Sequence, residues 1–370
     1  MNQEFTALDR RRAILALVVV NALWGASFPI VKALNLQIDD HFGVTQWTAS
    51  NWLRISAAGW VIGLRFGIAF LLLAILLRGM LARVRSPHLF AGAAIGLLFC
   101  CGLLLQVIGL ATIPASRSGF ITSLVVILTP ILNTLVRRQL PRRCVMLGAV
   151  VALIGVATLT GLITLEQGRV AIANNALAQW TSGDTLTVVA ALFFSGQILL
   201  IDLFGKRYES VLFTPSMFAT VSIFALAVFA GASFYVPEAH LLEAHTGGWI
   251  GLAIQPRFAL LLAVLCFFPS LIAFMWMNKY QPRLTAGQAA VIYTLEPLFA
   301  SSWAMFTPAI MSALCAIQYA NEQFSAPLIV GGSLVMLANV VALWPERTRE
   351  RTVKRTAMRR NLASPAKQAD

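Results

Sequence analysis

The chain has 370 residues, 58% of them hydrophobic and only 12% charged, and its mean hydropathy is +0.78. That apolar share lies above the range of soluble domains and excludes an ordinary soluble enzyme. The net charge of +13 would point to nucleic acid in a soluble protein, but beside this hydropathy it reads as loop charge bias, and no nucleic-acid partner is expected.

A hydrocarbon core of about 30 Å needs about 20 residues of helix to cross it. Apolar runs of that order recur at 13–34, 55–77, 89–110, 118–136, 144–164, 184–204, 214–236, 257–277, 286–306 and 324–344. They predict an all-α integral membrane protein of ten transmembrane helices with no soluble domain.

Arg10, Arg11 and Arg12 precede the first run as they would a secretory signal, but the run continues through Trp24, Phe28 and Ile30 with no small-residue cleavage site. A retained first helix with a cytoplasmic amino end (residues 1–12) is expected. Asn21 and Trp24 share a face of this helix, and the ring of Pro29 disrupts the bond to the Gly25 carbonyl. Trp24 could stack on a substrate, although packing is the commoner role of such a residue. Lys32 reads as an interfacial anchor, and residues 35–54, with Asp39, Asp40, Trp47 and Trp52, as an outer segment resting at headgroup depth.

The second run carries Arg65 about ten residues in, too deep for easy snorkelling, so it needs a carboxylate, backbone carbonyls or water. Glu296 and an anionic substrate group are both candidate partners, and a structural tether is the plain alternative. Gly59, Gly63 and Gly67, four residues apart, predict a small face for close helix packing.

Further along, Gln106, Gln197, Trp276, Asn278 and Gln288 could line a pathway, although an interhelical hydrogen bond or packing contact is the ordinary role of each. In the ninth run, Tyr293 to Phe299 reads YTLEPLF. An acid near the centre of a span costs about 2.5 to 3.5 kcal/mol on insertion scales, so Glu296 is a candidate for binding or proton coupling, the alternative being a protonated carboxyl bonded to a neighbouring helix. Pro297 crowds the carbonyl of Tyr293 and frees it for substrate or water, and Pro130 does the same for Val126.

The two prolines also align the halves of the chain. At an offset of 167 residues, Ser118 to Leu132 (SGFITSLVVILTPIL) matches Thr285 to Phe299 (TAGQAAVIYTLEPLF), which sets Thr129 opposite Glu296. Five helices per half is an odd number, so equivalent helices cross in opposite directions, giving two inverted five-helix repeats at 13–164 and 184–344 joined by an outer linker, 165–183. Most of the 28 Lys and Arg fall in segments that this arrangement puts inside, including the basic tail 345–370; outside lie Lys32, Arg54, Arg117, Arg169 and Arg257. Both termini are therefore expected in the cytoplasm. The five cysteines form no CxxC pair and the histidines lie in or beside loops, so neither a metal site nor a cofactor is expected.

The stretches WGASFPIVK, LRFGIAFLLLAILL, ATIPASRSGFITSLVVILTPIL, GDTLTVVAALFFSGQ and NKYQPRLTAGQAAVIYTLEPLFA, in this order, resemble the EamA-type branch of the drug/metabolite transporter superfamily. The resemblance runs from about Ala13 to Trp344. It implies a ten-helix inner-membrane carrier, often an exporter of amino acids or related small molecules, with a central cavity between the repeats and no catalytic residues. The outer segments are longer than is typical of that family, and the acidic residue common after its fourth helix is absent from VRRQLPRR. The expected partners are a small-molecule substrate and the lipid bilayer, with proton coupling and a homodimer as further expectations. An intramembrane enzyme or a flippase of lipid-linked substrates is the competing class, with a membrane sensor or scaffold behind it. An enzyme would call for paired deep acids or a nucleophile with a base, and this chain offers one deep acid and no deep histidine.

Overall fold

The computed structural model describes residues 7–76, 78–136, 138, 143–166, 169–172, 180–205, 207–237, 247–284 and 292–342. Gln288, the tail 345–370 and residues 167–168 and 173–179 of the linker lie outside these residues. Eight helices among them are long and apolar enough to cross a membrane: α1 (Leu8–His41), α2 (Asn51–Leu76), α3 (Ser86–Leu110), α4 (Ala115–Val136), α6 (Ser182–Gly205), α7 (Val211–Ser233), α8 (Pro256–Tyr280) and α9 (Glu296–Cys315). Two further apolar helices, α5 (Arg143–Leu159) and α10 (Ala326–Ala342), have 17 residues each, the lower edge of the spanning range. A small antiparallel pair, β1 (Ile163–Glu166) with β2 (Arg169–Ile172), is the one departure from helix among the described regular elements.

Two boundaries differ from the sequence expectation for identifiable reasons. Helix α1 runs on to His41 instead of ending near residue 34, because Asp39 in its last turns is held by the fork of Arg54 from the start of α2. Helix α9 begins at Glu296 and reaches Cys315, so most of the anticipated loop 307–323 is helical. Thr294 and Leu295 form a turn, and Pro297 occupies the first turn of the new helix, where its missing N–H costs nothing. Glu296 thus opens a helix instead of lying mid-way along one.

Glycines let the backbones approach. A Cβ on Gly59 would sit 2.8 Å from the Ala225 carbonyl oxygen, and Gly63 and Gly67 meet Leu226 and Ser222, so the small face of α2 seats α7 as its spacing predicts. The most extensive packings are α2 with α7, α5 with α10, α3 with α6, α1 with α8, α3 with α7, α1 with α9, α4 with α6, α4 with α9 and α2 with α8.

Irregular positions in three helices shape the interior. Helix α4 is interrupted by a turn at Ser123 and Leu124, six residues before the proline expected to disturb it. Helix α8 widens into a π-helix over Cys266–Ile272, around Pro269. Helix α9 contains Pro308, which cannot donate to the Ala304 carbonyl. The segment 316–325 folds back over that kink: Glu322 N donates to Ala304 O at 2.9 Å, and Asn321 Oδ1 accepts from Ala309 N at 2.8 Å.

Candidate functional site

The register between α1 and α9 places the candidates. Gly25 packs against Phe299 and Ala300, where a Cβ would meet backbone and side chain at 2.7 Å, and Leu17 clusters with Ile292. Asn21 lies one turn from each contact, so it stands level with Glu296. Its Nδ2 donates to Leu17 O at 2.7 Å, its side chain is fully buried, and its Oδ1 has no protein partner among the described residues.

Trp24, one turn further along the same face, lies 5.9 Å from the ring of Tyr293 and 5.5 Å from that of Phe274. The Tyr293 hydroxyl donates to Gln281 Oε1 at 2.8 Å. Gly119 of α4 comes against Ala300 and Pro297, which brings the broken helix α4 to the start of α9. Asn21, Trp24, Tyr293 and Glu296 are therefore drawn together at the junction of α1, α4, α8 and α9. Pro29 lies in α1 five residues beyond Trp24, and Pro297 starts α9 beside them.

The other candidates sit elsewhere. Arg65 and Glu296 do not pair: no carboxylate of the described residues lies within 4.0 Å of the guanidinium. Arg65 is 5% exposed, and its Nε donates to Ser270 Oγ of α8 at 2.6 Å. Gln106 donates to Thr122 Oγ1 at 2.8 Å and Asn278 to Thr214 Oγ1 at 2.7 Å, the interhelical bonds that such residues ordinarily make. Gln197 is buried in α6. Thr129 lies on α4, beside Pro130, with its Oγ1 buried and without a protein partner among the described residues. Trp276 is half-exposed against Tyr280 and lines an apolar groove with Leu73, Leu76 and Phe267, away from the junction.

Phe66, Phe99, Phe218 and Phe274 form edge-on contacts with centroids 5.3 to 6.3 Å apart, and Trp24 extends this wall through Phe274. Such pairs add about 0.5 to 1.5 kcal/mol beyond area burial. Arg65 meets this cluster through Phe66, and Tyr293 meets it through Trp24.

One end of the bundle is heavily tied. The Glu322 carboxylate caps the start of α4, accepting from Ala115 N at 2.6 Å, from Ser116 N at 3.3 Å and from the Ser116 hydroxyl. Arg117 pairs with the fully buried Asp184 at 2.5 Å, joining α4 to α6. Lys32 donates to the Leu110 and Ile113 carbonyls at 3.2 and 2.6 Å and so clamps the end of α3. At the opposite end the ion pairs are more exposed, Arg83 with Glu209 and Arg283 with Asp9.

Pro269, Ser270 and Glu322 carry much of this geometry. The proline in CFFPSLI gives the same sequence signal as Pro130 and Pro297, so that break was detectable. Glu322 lies in a polar loop where nothing local marks it. Among the described residues no three His, Cys, Asp or Glu side chains converge as a metal ligand set.

No family model matches the chain. A protein of Archaeoglobus fulgidus described as an uncharacterized transporter is 27% identical over 336 residues, covering 90% of this chain and 86% of that protein. A solved structure described only as the crystal structure of a protein aligns over 93% of this chain and 99% of its own, at 18% identity and a TM-score of 0.47.

Proposed function

We propose that this chain is a secondary transporter of the EamA type, moving a small metabolite such as an amino acid or related compound by alternating access. Ten spans in two inverted repeats, α1–α5 and α6–α10, sit in a cytoplasmic membrane with both termini inside, and export is the direction the family resemblance favours. The observation that carries this reading is the packing pattern. Exchanging each helix for the one five places along maps α3 with α6 onto α8 with α1, α3 with α7 onto α8 with α2, and α4 with α6 onto α9 with α1, while α2 with α7, α5 with α10 and α4 with α9 map onto themselves. A two-fold axis between halves of odd helix number produces that set. The relative named as a transporter supports the same class.

On this reading the tied end is the closed outer gate, and the substrate meets Asn21, Trp24, Tyr293 and Glu296 below it. Glu296 is the proton-coupling group, since a carboxyl inside a membrane bundle is held only when neutral or paired. The test is uptake of a metabolite panel into proteoliposomes with and without a pH gradient. Glu296→Gln should lose the dependence on the gradient while still exchanging substrate. Undiminished dependence in the variant would assign coupling to another group.

A further inference from the structure

A buried cation with no carboxylate within 4.0 Å among the described residues lies beside the junction, and the chain holds it in a fixed pose. Pro269 has no N–H to give to the Leu265 carbonyl four residues back. The Ser270 hydroxyl donates to that carbonyl instead, at 2.9 Å, a span of five residues permitted by the local π-helix. With its proton committed, the Ser270 oxygen offers a lone pair across the helix interface and accepts from Arg65 Nε at 2.6 Å. The guanidinium is further held over the Phe66 ring, its Cζ 5.0 Å from the centroid. Ser270 is fully buried and Arg65 is 5% exposed, near the middle of both α2 and α8.

Arginine stays charged in proteins, and in a membrane interior it pairs, reaches water or binds an anion. Here its bond through Nε engages a neutral hydroxyl, and no carboxylate of the described residues is within 4.0 Å. A guanidinium fixed through Nε presents its remaining N–H groups in the planar fork that suits a carboxylate.

We propose that Arg65, oriented by Ser270, is a binding site for the carboxylate of an organic anion, with the Phe66 and Phe274 wall beside it receiving the anion's apolar part. This rests on the transporter reading and names its substrate class. Two sources supply that chemistry, a soluble metabolite and a fatty acid entering from the bilayer.

The test is binding to the purified full chain in nanodiscs, so that it does not depend on transport. Thermal unfolding is followed with acetate, benzoate, succinate and oleate, each against its neutral amide at matched ionic strength. At least one carboxylate should raise the midpoint saturably where its amide does not; benzoate or succinate would mark a soluble metabolite, and oleate alone a bilayer lipid. Arg65→Lys, which keeps the charge and loses the fork, should weaken binding at least tenfold. Ser270→Ala, which leaves the guanidinium and frees its pose, should weaken it several-fold. Carboxylates that act no differently from their amides, or binding unchanged in both variants, would overturn the assignment. Carboxylate binding without any flux would instead count against transport and leave the site standing, and flux indifferent to both variants would do the reverse.

Discussion

Glu322→Ala probes the tied end of the bundle most sharply. The carboxylate accepts from two backbone N–H groups and a hydroxyl at the start of α4, where Ala115 is fully buried and Ser116 is 3% exposed. Losing a helix N-cap costs about 0.5 to 2 kcal/mol, and each buried donor left without an acceptor about 1 to 3 kcal/mol. Three donors are involved and Glu322 itself is half-buried, so each falls at the lower end of that cost and the total is about 3 kcal/mol. Its backbone bond to Ala304 survives the substitution, so the kink at Pro308 stays covered. Glu322→Gln, which retains one acceptor oxygen, should fall between wild type and alanine. Unfolding in mixed micelles by titration with dodecyl sulfate, followed by tryptophan fluorescence, reads the difference. A loss below about 1 kcal/mol for the alanine variant would refute the capping role, because that is the net worth of one ordinary hydrogen bond.

Two further outcomes are expected. Asp39→Asn leaves Arg54 buried without its charge partner and should cost about 3 kcal/mol, whereas replacing both residues by apolar ones of similar volume should recover most of that loss in the same titration. The Tyr319 phenol lies in the segment after α9, where burial first and the nearby Glu322 charge second push its pKa upward. The folded state therefore keeps its proton at a pH where the unfolded chain has lost it, so stability should fall as pH rises above about 10, and Tyr319→Phe should remove that share of the alkaline loss.

Hydropathy made the helical membrane class legible, because lipid demands long apolar runs wherever the backbone crosses it. The spacing of Gly59, Gly63 and Gly67 likewise disclosed the face that seats α7, since only small residues permit that approach. What local pattern does not carry is pairing across the fold. Asp39 looked like a loop residue because its partner Arg54 lies beyond a turn, and their bond is what lets α1 continue. Pro297 read as a mid-helix distortion, yet the turn at Thr294 and Leu295 makes it a helix start, and the same residue chemistry serves both. At the junction, Asn21, Trp24, Tyr293 and Glu296 were legible as polar or aromatic residues in apolar runs, but their convergence depends on the crossing of α1 with α9 at Gly25. Arg65 stood out as a deep cation, while its orienting partner came from a helix irregularity 205 residues away in sequence.

The central claim is that substrate passes through one site that opens to each side in turn, and countertransport tests it most directly. Proteoliposomes are loaded with an unlabelled mixture of small carboxylates and amino acids, and initial uptake of each labelled member is compared with that into empty vesicles. A carrier working by alternating access returns loaded faster than it returns empty, so the account predicts saturable, protein-dependent uptake of at least one member, accelerated by the internal pool. Flux that neither saturates nor responds to the opposite side would indicate a channel, and protein-dependent movement of no member would contradict the transporter reading.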